Sequence, residues 1–420
     1  MKDRALATRH RGPSLVAASA VCSLLSACGG SSGGGSRIPV DPPPVDSPAY
    51  AYIASADIQG RQVPGAVYQY AFAPDGSPTP MGVASVPSGI DPVAIISDPT
   101  GHYVYVANLG EDTISQYLVS AGGELMPLSP ATVSLTGESP VLMPLATVFW
   151  LTVDPQSRSL YAVTSDRPPA TPWTRITQYS IGSDGTLTPL ALAVIDVSAS
   201  ASAPLAIDPS GRYAYLAGNS GVSGQVAQFS IANDGALLPL TPATALAAPE
   251  VIGVALAPSG QMAYVLSTCV DSSCDGQVAP YTIASDGTLS PTGTSLLTGS
   301  HVNPISMMIN GSGTSAYLLS NLMRVDTNTG AVYQYSIEST GALVPYTPTF
   351  LGVSSGSVAE SLVGTNLYAL SANAIGSAAG TPPGGHVDHY VIGSTGALTS
   401  ISTADVAASL PTAMTIVVTH

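Results

Sequence analysis

The clearest local signal in this chain is the stretch Pro204-Leu205-Ala206-Ile207-Asp208-Pro209-Ser210-Gly211-Arg212-Tyr213-Ala214-Tyr215-Leu216. Asp208, Pro209 and Gly211 stand at the positions that favour a type I turn, because proline fixes φ and the aspartate bonds back to the backbone. An apolar segment precedes the turn, and a segment centred on Tyr215 follows it. The stretch therefore predicts a β-hairpin.

The same pattern recurs along the chain at a spacing of roughly 50 residues, which is typical of propeller blades. Related turns read Asp98-Pro99-Thr100-Gly101, Asp154-Pro155-Gln156-Ser157, Ala257-Pro258-Ser259-Gly260 and Asn310-Gly311-Ser312-Gly313. The strand centred on tyrosine occurs seven times, at Tyr52, Tyr105, Tyr161, Tyr215, Tyr264, Tyr317 and Tyr368. Seven copies of one unit are therefore expected.

Each copy continues with a third strand in which polar and apolar residues alternate, as in a half-buried strand. These strands contain Gln69-Tyr70, Gln116-Tyr117, Gln178-Tyr179, Gln228-Phe229, Pro280-Tyr281, Gln334-Tyr335 and His389-Tyr390. A tight turn of the Asp-Gly type follows each of them. Four strands per copy without helical periodicity predict an all-β fold, a seven-bladed β-propeller of four-stranded blades.

The two ends of the sequence together contain the strands of one blade. The first copy begins at 49–52 with its second strand, and the missing first strand matches 411–418 at the other end. Pairing of the two segments would close the ring and hide two sheet edges. We therefore expect residues 49–420 to form one domain.

The N-terminal residues predict export. A basic start and a short apolar run make residues 1–27 a secretory signal peptide. Its end, Leu25-Ser26-Ala27-Cys28, resembles a bacterial lipobox, so Cys28 is expected to carry lipid; the alternative is an ordinary signal peptide with an incidental cysteine. Residues 28–48 are rich in Gly, Ser and Pro and form a tether. Gly29 favours sorting to the outer membrane, so we expect a lipid-anchored protein of the bacterial cell envelope.

Composition narrows the possible ligands. The formal net charge is −15, and without residues 1–27 the chain contains no lysine. Nucleic acid and anionic lipid headgroups need clustered cations, so binding to either is not expected. A phosphorylated substrate is disfavoured for the same reason. Cys269 and Cys274 predict a structural disulfide in an oxidising compartment; a redox or metal pair is the alternative.

Two segments carry a resemblance to a known family. Tyr105-Val106-Ala107-Asn108 with Asp112-Thr113-Ile114-Ser115-Gln116-Tyr117 is similar to the YVTN-type repeat, and Gly185-Thr186-Leu187-Thr188-Pro189-Leu190 extends the likeness. The pattern resembles the seven-bladed lactonase superfamily, which includes 6-phosphogluconolactonases. The resemblance implies His, Glu and Arg near the channel mouth of a lactonase. Only His301-Val302-Asn303-Pro304 comes near that pattern.

Irregular insertions are expected on one face of the ring, in the loops between second and third strands. Variable loops on a rigid scaffold commonly carry binding sites. The candidate ligand contacts are Arg167, Trp173, Arg175, Arg324 and Asp91, where arginine would hold an anion and tryptophan would stack. Alternatively, these arginines only pair with neighbouring acids. Near the same face, His301, Glu250 and Glu360 are candidates for ester or lactone hydrolysis, or else solvated linker residues.

Two functions are compatible with these features. The first is a binding or interaction module for a small molecule, a glycan or an envelope protein. The alternative is a lactonase-like hydrolase of a non-phosphorylated lactone or ester. We expect a monomer without a cofactor or a bound metal. Asp326 and Asn328 could hold a surface calcium ion, although the twelfth position of that loop is not a glutamate.

Overall fold

A computed structural model describes residues 49–56, 63–135, 146–166, 174–201, 203–220, 223–268, 275–300, 302–324, 327–353, 356–372, 384–408 and 411–418. These segments contain strands and turns, and none of them is helical. Within the same segments no helix is long and apolar enough to cross a membrane. The predicted all-β class is confirmed.

The strands form seven antiparallel sheets, here called blades 1 to 7 along the chain. Blade 1 combines β1 (Ala49–Ser55), β2 (Pro64–Phe72) and β3 (Pro78–Ile90) with the last strand, β30 (Pro411–Val418). Blade 2 contains β4 (Pro92–Ser97), β5 (Tyr103–Asn108), β6 (Thr113–Val119) and β7 (Leu125–Ser134). Blade 3 contains β8 (Ala146–Val153), β9 (Ser159–Asp166), β10 (Thr174–Ile181) and β11 (Leu187–Val197).

The remaining blades repeat this order. Blade 4 contains β12 (Ser200–Ala201), β13 (Ala206–Ile207), β14 (Tyr213–Ser220), β15 (Ser223–Ile231) and β16 (Leu237–Ala247). Blade 5 contains β17 (Val251–Leu256), β18 (Met262–Ser267), β19 (Asp275–Ile283), β20 (Leu289–Pro291) and β21 (Leu296–Ser300). Blade 6 contains β22 (Val302–Ile309), β23 (Ser315–Arg324), β24 (Thr327–Ile337) and β25 (Leu343–Gly352). Blade 7 contains β26 (Gly356–Val363), β27 (Asn366–Ala372), β28 (Gly385–Ile392) and β29 (Leu398–Val406).

Blades 4 and 5 each have one interrupted strand. In blade 4, β12 and β13 both pair with β14, so together they occupy one strand position. Pro204 lies between them and has no N–H for the ladder, and the predicted first strand is reduced to Ala206–Ile207. In blade 5, β20 and β21 both pair with β19. All seven blades are therefore four strands wide, as predicted.

The C-terminal strand closes the ring. β30 pairs with β1 in antiparallel register, with Tyr52 opposite Thr415. The hydroxyl of Thr412 donates to the carbonyl of Pro92 at 2.8 Å, which ties the closing strand to blade 2. The predicted closure is confirmed.

The second strands form the core of the ring. All of β5 except its first residue is buried, whereas most of the outer strand β7 is exposed. Six of the seven tyrosines donate from the hydroxyl to a glycine carbonyl in the next blade, at 2.6 to 3.1 Å. The pairs are Tyr52–Gly123, Tyr105–Gly185, Tyr161–Gly235, Tyr215–Gly287, Tyr264–Gly341 and Tyr317–Gly396. Adjacent blades are therefore joined by buried polar contacts as well as by apolar packing.

The third-strand glutamines differ from the expectation of a half-buried strand. Gln69, Gln116, Gln178, Gln228 and Gln334 are at most 1% exposed, because each third strand is covered by the neighbouring blade. Each Nε2 donates to a carbonyl in the outer strand of its own blade, at 2.6 to 3.1 Å. Each Oε1 accepts the N–H of the leucine that begins the outer strand of the next blade, at 2.6 to 2.8 Å. Those leucines are Leu125, Leu187, Leu237, Leu289 and Leu398.

We call this arrangement the glutamine bridge, and two seams between blades lack it. At the seam between blades 5 and 6, Pro280 replaces the glutamine and Leu343 begins the next outer strand. At the closing seam between blades 7 and 1, His389 replaces the glutamine and Pro78 begins the outer strand. Proline has no N–H to donate. The closing seam therefore does not require the acceptor that glutamine supplies elsewhere.

Candidate functional site

The topology gives the ring two different faces. Turns that join first to second and third to outer strands lie on one face, which we call the turn face. All seven third-to-outer turns contain a glycine with positive φ, at Gly76, Gly123, Gly185, Gly235, Gly287, Gly341 and Gly396. Connections between second and third strands, and from blade to blade, lie on the opposite face, the insertion face. Their lengths differ from blade to blade.

Several predicted site residues belong to the insertions. His301, Arg167, Trp173, Cys269, Cys274 and Asp326 lie outside the described residues, as does Cys28. Backbone positions are described for Arg324, Asn328 and Glu360. Arg324 pairs with Thr327 at the end of the β23–β24 hairpin, next to the pairing of Met323 with Asn328. Glu360 pairs with Ala369 within the inner strand of blade 7, so it lies inside that strand and not at its opening.

Arg175 lies at the beginning of β10, on the insertion face. Its Nε donates to Oδ1 of Asp196 on the neighbouring strand β11 at 3.0 Å. The two side chains are 35% and 60% exposed, so water screens the ion pair. This contact matches the alternative in which the insertion-face arginines pair with nearby acids.

Asp91 and Glu250 occupy equivalent positions, immediately before the inner strands of blades 2 and 5. Both have left-handed backbone conformations, with φ of 50° and 56°. Their carbonyls accept the N–H groups of Leu109 and Thr268, each at 2.9 Å. Such conformations are uncommon outside glycine and cluster at functional sites. The structure therefore fixes both residues at the insertion-face openings of inner strands, as the sequence predicts.

Three acidic residues lie near one another in blade 2: Asp91 before β4, and Glu111 and Asp112 in the β5–β6 loop. We call them the acidic corner. Oε1 of Glu111 accepts the N–H of Ile90 at 3.0 Å, which holds the β5–β6 loop against the entry to β4. Burial raises the pKa of the Asp112 carboxyl above its ordinary value. Neither Glu111 nor Asp112 was predicted from the sequence as a site residue. The only sequence signal for this loop is the YVTN-type segment, which contains Asp112 and follows Glu111 directly.

Among the described residues, no group of three or more His, Cys, Asp or Glu side chains is arranged to hold a metal ion. The acidic corner can instead accept protons and hydrogen bonds. A carboxylate with a raised pKa is a stronger base than an exposed one, which suits general-base chemistry.

Two cavities in the described part of the chain open on the turn face. One of about 850 Å³ lies between blades 4 and 5 and contains Arg212, Tyr213, Pro258 and Met262. The Arg212 guanidinium lies 5.0 Å from the centre of the Tyr213 ring. Another cavity, of about 380 Å³, lies beside Ser97, Asp98 and Val153 at the turn-face ends of inner strands. Neither cavity was predicted from the sequence.

The described strands form a seven-bladed β-propeller, and part of the chain is similar to a family of lactonase propellers. Residues 126–253 match the family model described as Lactonase, 7-bladed beta-propeller. This segment runs from β7 of blade 2 into β17 of blade 5. The family resemblance inferred from the sequence is thereby confirmed.

Particular solved structures share the fold. A periplasmic gluconolactonase from Pseudomonas aeruginosa is 14% identical, with a TM-score of 0.64, and the match covers 89% of this chain and all of that chain. A protein from Bacteroides fragilis, provisionally described as a 6-phosphogluconolactonase, is 19% identical, with a TM-score of 0.62 and coverage of 90% and 100%. No curated protein sequence gives a significant match. At these identities the likeness shows the fold alone.

Proposed function

We propose that this protein is a lactonase-type hydrolase that opens a non-phosphorylated lactone or ester. The observation that carries the proposal is the match of residues 126–253 to the lactonase propeller family. The alternative function inferred from the sequence therefore becomes the leading one.

The insertion face offers bases for this reaction. A carboxylate such as Asp112 or Glu250 would remove a proton from water as the water oxygen attacks the lactone carbonyl carbon. The ring C–O bond then breaks, and the proton passes to the leaving oxygen. The product is a hydroxy acid, which releases one proton to the solution at neutral pH. His301 remains a candidate for the same role.

The charge of the protein favours a neutral substrate. A formal net charge of −15 repels a phosphate dianion, and the described Arg175 is already paired with Asp196. We therefore infer a neutral sugar lactone or a related ester as the substrate class.

The place of action proposed is the cell envelope. The predicted signal peptide 1–27 and the lipobox at Cys28 support export and lipid anchoring at the outer membrane. The similar Pseudomonas aeruginosa gluconolactonase is described as periplasmic.

A binding module is the second candidate. It is favoured by the contrast between a uniform turn face and insertions of unequal length on the opposite face, since variable loops on a rigid scaffold commonly bind partners. The partner would be a small molecule, a glycan or an envelope protein.

Proton release at constant pH tests the leading proposal. The purified protein is assayed against neutral, carboxylated and phosphorylated lactones, alongside Asp112→Asn, Glu250→Gln and His301→Ala. Glu338→Gln is the matched control, because Glu338 is exposed on the turn between β24 and β25. We expect turnover of neutral lactones, a loss of about 100-fold or more in kcat/KM for the variant that removes the base, and no change in the control. A folded protein without turnover on the whole panel would favour the binding module.

A further inference from the structure

The seam between blades 5 and 6 lacks a side chain that five other seams contain. In those five seams a buried glutamine amide joins the carbonyl of one outer strand to the leucine N–H of the next. At this seam the third-strand residue is Pro280, which has neither an amide group nor the length to reach across. Leu343 stands where the other leucines donate to glutamine.

A cavity of about 250 Å³ occupies the place of the missing amide. It is lined by Val278 and Pro280 from blade 5, by Ala342 and Leu343 from blade 6, and by Thr294 and Leu296 from the outer strand of blade 5. Leu343 is half-buried, whereas the five equivalent leucines are at most 7% exposed. The volume is several times the roughly 30 Å³ of one water molecule.

The backbone around the cavity follows the glutamine bridges from the third strand, but its outer strand is interrupted between β20 and β21. In all five bridges the accepting carbonyl lies 14 residues after the glutamine. Thr294 stands at that position relative to Pro280, and it lines the cavity. The outer strand is interrupted here between β20 and β21, and Thr294 is exposed, so the cavity can be reached from solvent.

We propose that this seam is a binding site for a primary carboxamide, separate from the insertion face and independent of the proposed hydrolase function. A primary amide presents a carbonyl acceptor and an NH₂ donor side by side. It therefore matches a leucine N–H and an outer-strand carbonyl, as the protein's own glutamines do. A carboxylate lacks the donor and an ammonium group lacks the acceptor. The ligand is a small amide or the glutamine side chain of a peptide.

Fluorine NMR of trifluoroacetamide with the full-length protein tests the site directly. We expect broadening of the amide signal at concentrations on the order of millimolar, with displacement by acetamide. The signal of trifluoroacetate, which has the same shape without the N–H donors, should not broaden under the same conditions. Equal binding of the acid and the amide would overturn the proposal.

Three variants test the location of the site: two fill the cavity, and the third removes a glutamine bridge from another seam. Pro280→Gln supplies the bridge from within and should abolish the broadening. If that variant does not fold, Ala342→Leu fills the cavity from blade 6 and should have the same effect. Gln178→Ala removes a bridge elsewhere and should add amide binding. Broadening that persists at the wild-type level in Pro280→Gln or in Ala342→Leu would show that the amide does not bind in this cavity.

Competition separates the two sources of the amide. A capped peptide containing glutamine should displace trifluoroacetamide at about tenfold lower concentration than acetamide if the natural ligand is a peptide side chain. Displacement at similar concentrations would identify a small free amide. Failure of both competitors would refute the site.

Discussion

Truncation of one glutamine bridge, by Gln178→Ala, is expected to destabilise the whole ring. Gln178 is fully buried and lies in the third strand of blade 3. Its Nε2 donates to the carbonyl of Leu192 at 2.6 Å, and its Oε1 accepts the N–H of Leu237 at 2.8 Å. The variant breaks both contacts and leaves the N–H of Leu237, itself a fully buried residue, opposite a methyl group.

The magnitude follows from these contacts. A buried N–H without a partner costs about 1–3 kcal/mol. The one lost side-chain methylene adds about 0.8 kcal/mol of transfer free energy. The Leu192 carbonyl adds little, because Leu192 is 51% exposed and water can replace the amide. The free energy of unfolding should fall by about 3 kcal/mol, which lowers Tm by about 4 °C for a domain of roughly 370 residues.

Urea and thermal unfolding followed by circular dichroism measure this loss. Gln156→Ala is the control, because the Gln156 amide makes an exposed contact of 3.2 Å to the Ser210 carbonyl. Its cost should stay within about 0.5 kcal/mol. Equal losses for the two variants would refute the bridge as a structural element.

Gln178→Glu adds a test of the hydrogen-bond directions. A buried glutamate has a raised pKa in the folded state, and only its protonated form can donate to the Leu192 carbonyl. The folded variant therefore binds more protons than the unfolded one, so its deficit against wild type should shrink as pH falls through the raised pKa. A deficit that grows on acidification would contradict the assigned directions.

Four further outcomes are expected. Burial lowers the pKa of His389, with Asp75 acting in the opposite direction. The unfolded state therefore binds the proton more readily, and the free energy of unfolding should fall as pH drops below about 6.5. His389→Gln should remove this part of the pH dependence in urea unfolding, and an unchanged pH profile would refute the assignment. Deletion of 411–420 should open blade 1 and broaden the thermal transition, which a single sharp transition near the wild-type Tm would contradict. Tyr161→Phe should cost about 1–2 kcal/mol by removing the bond to Gly235; a loss below about 0.5 kcal/mol would argue against that contact. Arg175→Ala should change stability by less than about 1 kcal/mol in the same assay, since its ion pair is exposed, and a larger loss would indicate a buried role.

The fold could be predicted because its signals are local and repeated. The turn at Asp208 to Gly211 is specified by the turn preferences of its own residues, and the Asp208 carboxylate accepts the N–H groups of Arg212 and Tyr213 as expected. The closing strand was also predictable, because the first copy lacks a strand that the C-terminus supplies. Burial of the glutamines was not predictable from alternation, since the cover comes from the next blade.

The candidate site was much less predictable. Asp91 and Glu250 could be placed because they adjoin recognisable first strands. Asp112 gains its raised pKa from burial by its surroundings, which no spacing in the sequence reveals. The cavity beside Pro280 required knowledge of what the five glutamines do, because a single proline in a third strand carries no such information.

The closing seam, where His389 and Pro78 replace glutamine and leucine, bears on how the repeats assemble. A chain built from similar units can close on itself or continue into another molecule, and contacts that continue between molecules generate filaments. The outer strand of every other blade begins with leucine, and only blade 1 has Pro78 there, two residues after Gly76, which lies against the His389 ring. The closing contact between blades 7 and 1 therefore differs in its residues from every interior seam, which distinguishes the two blades that must meet from the blades that follow one another along the chain.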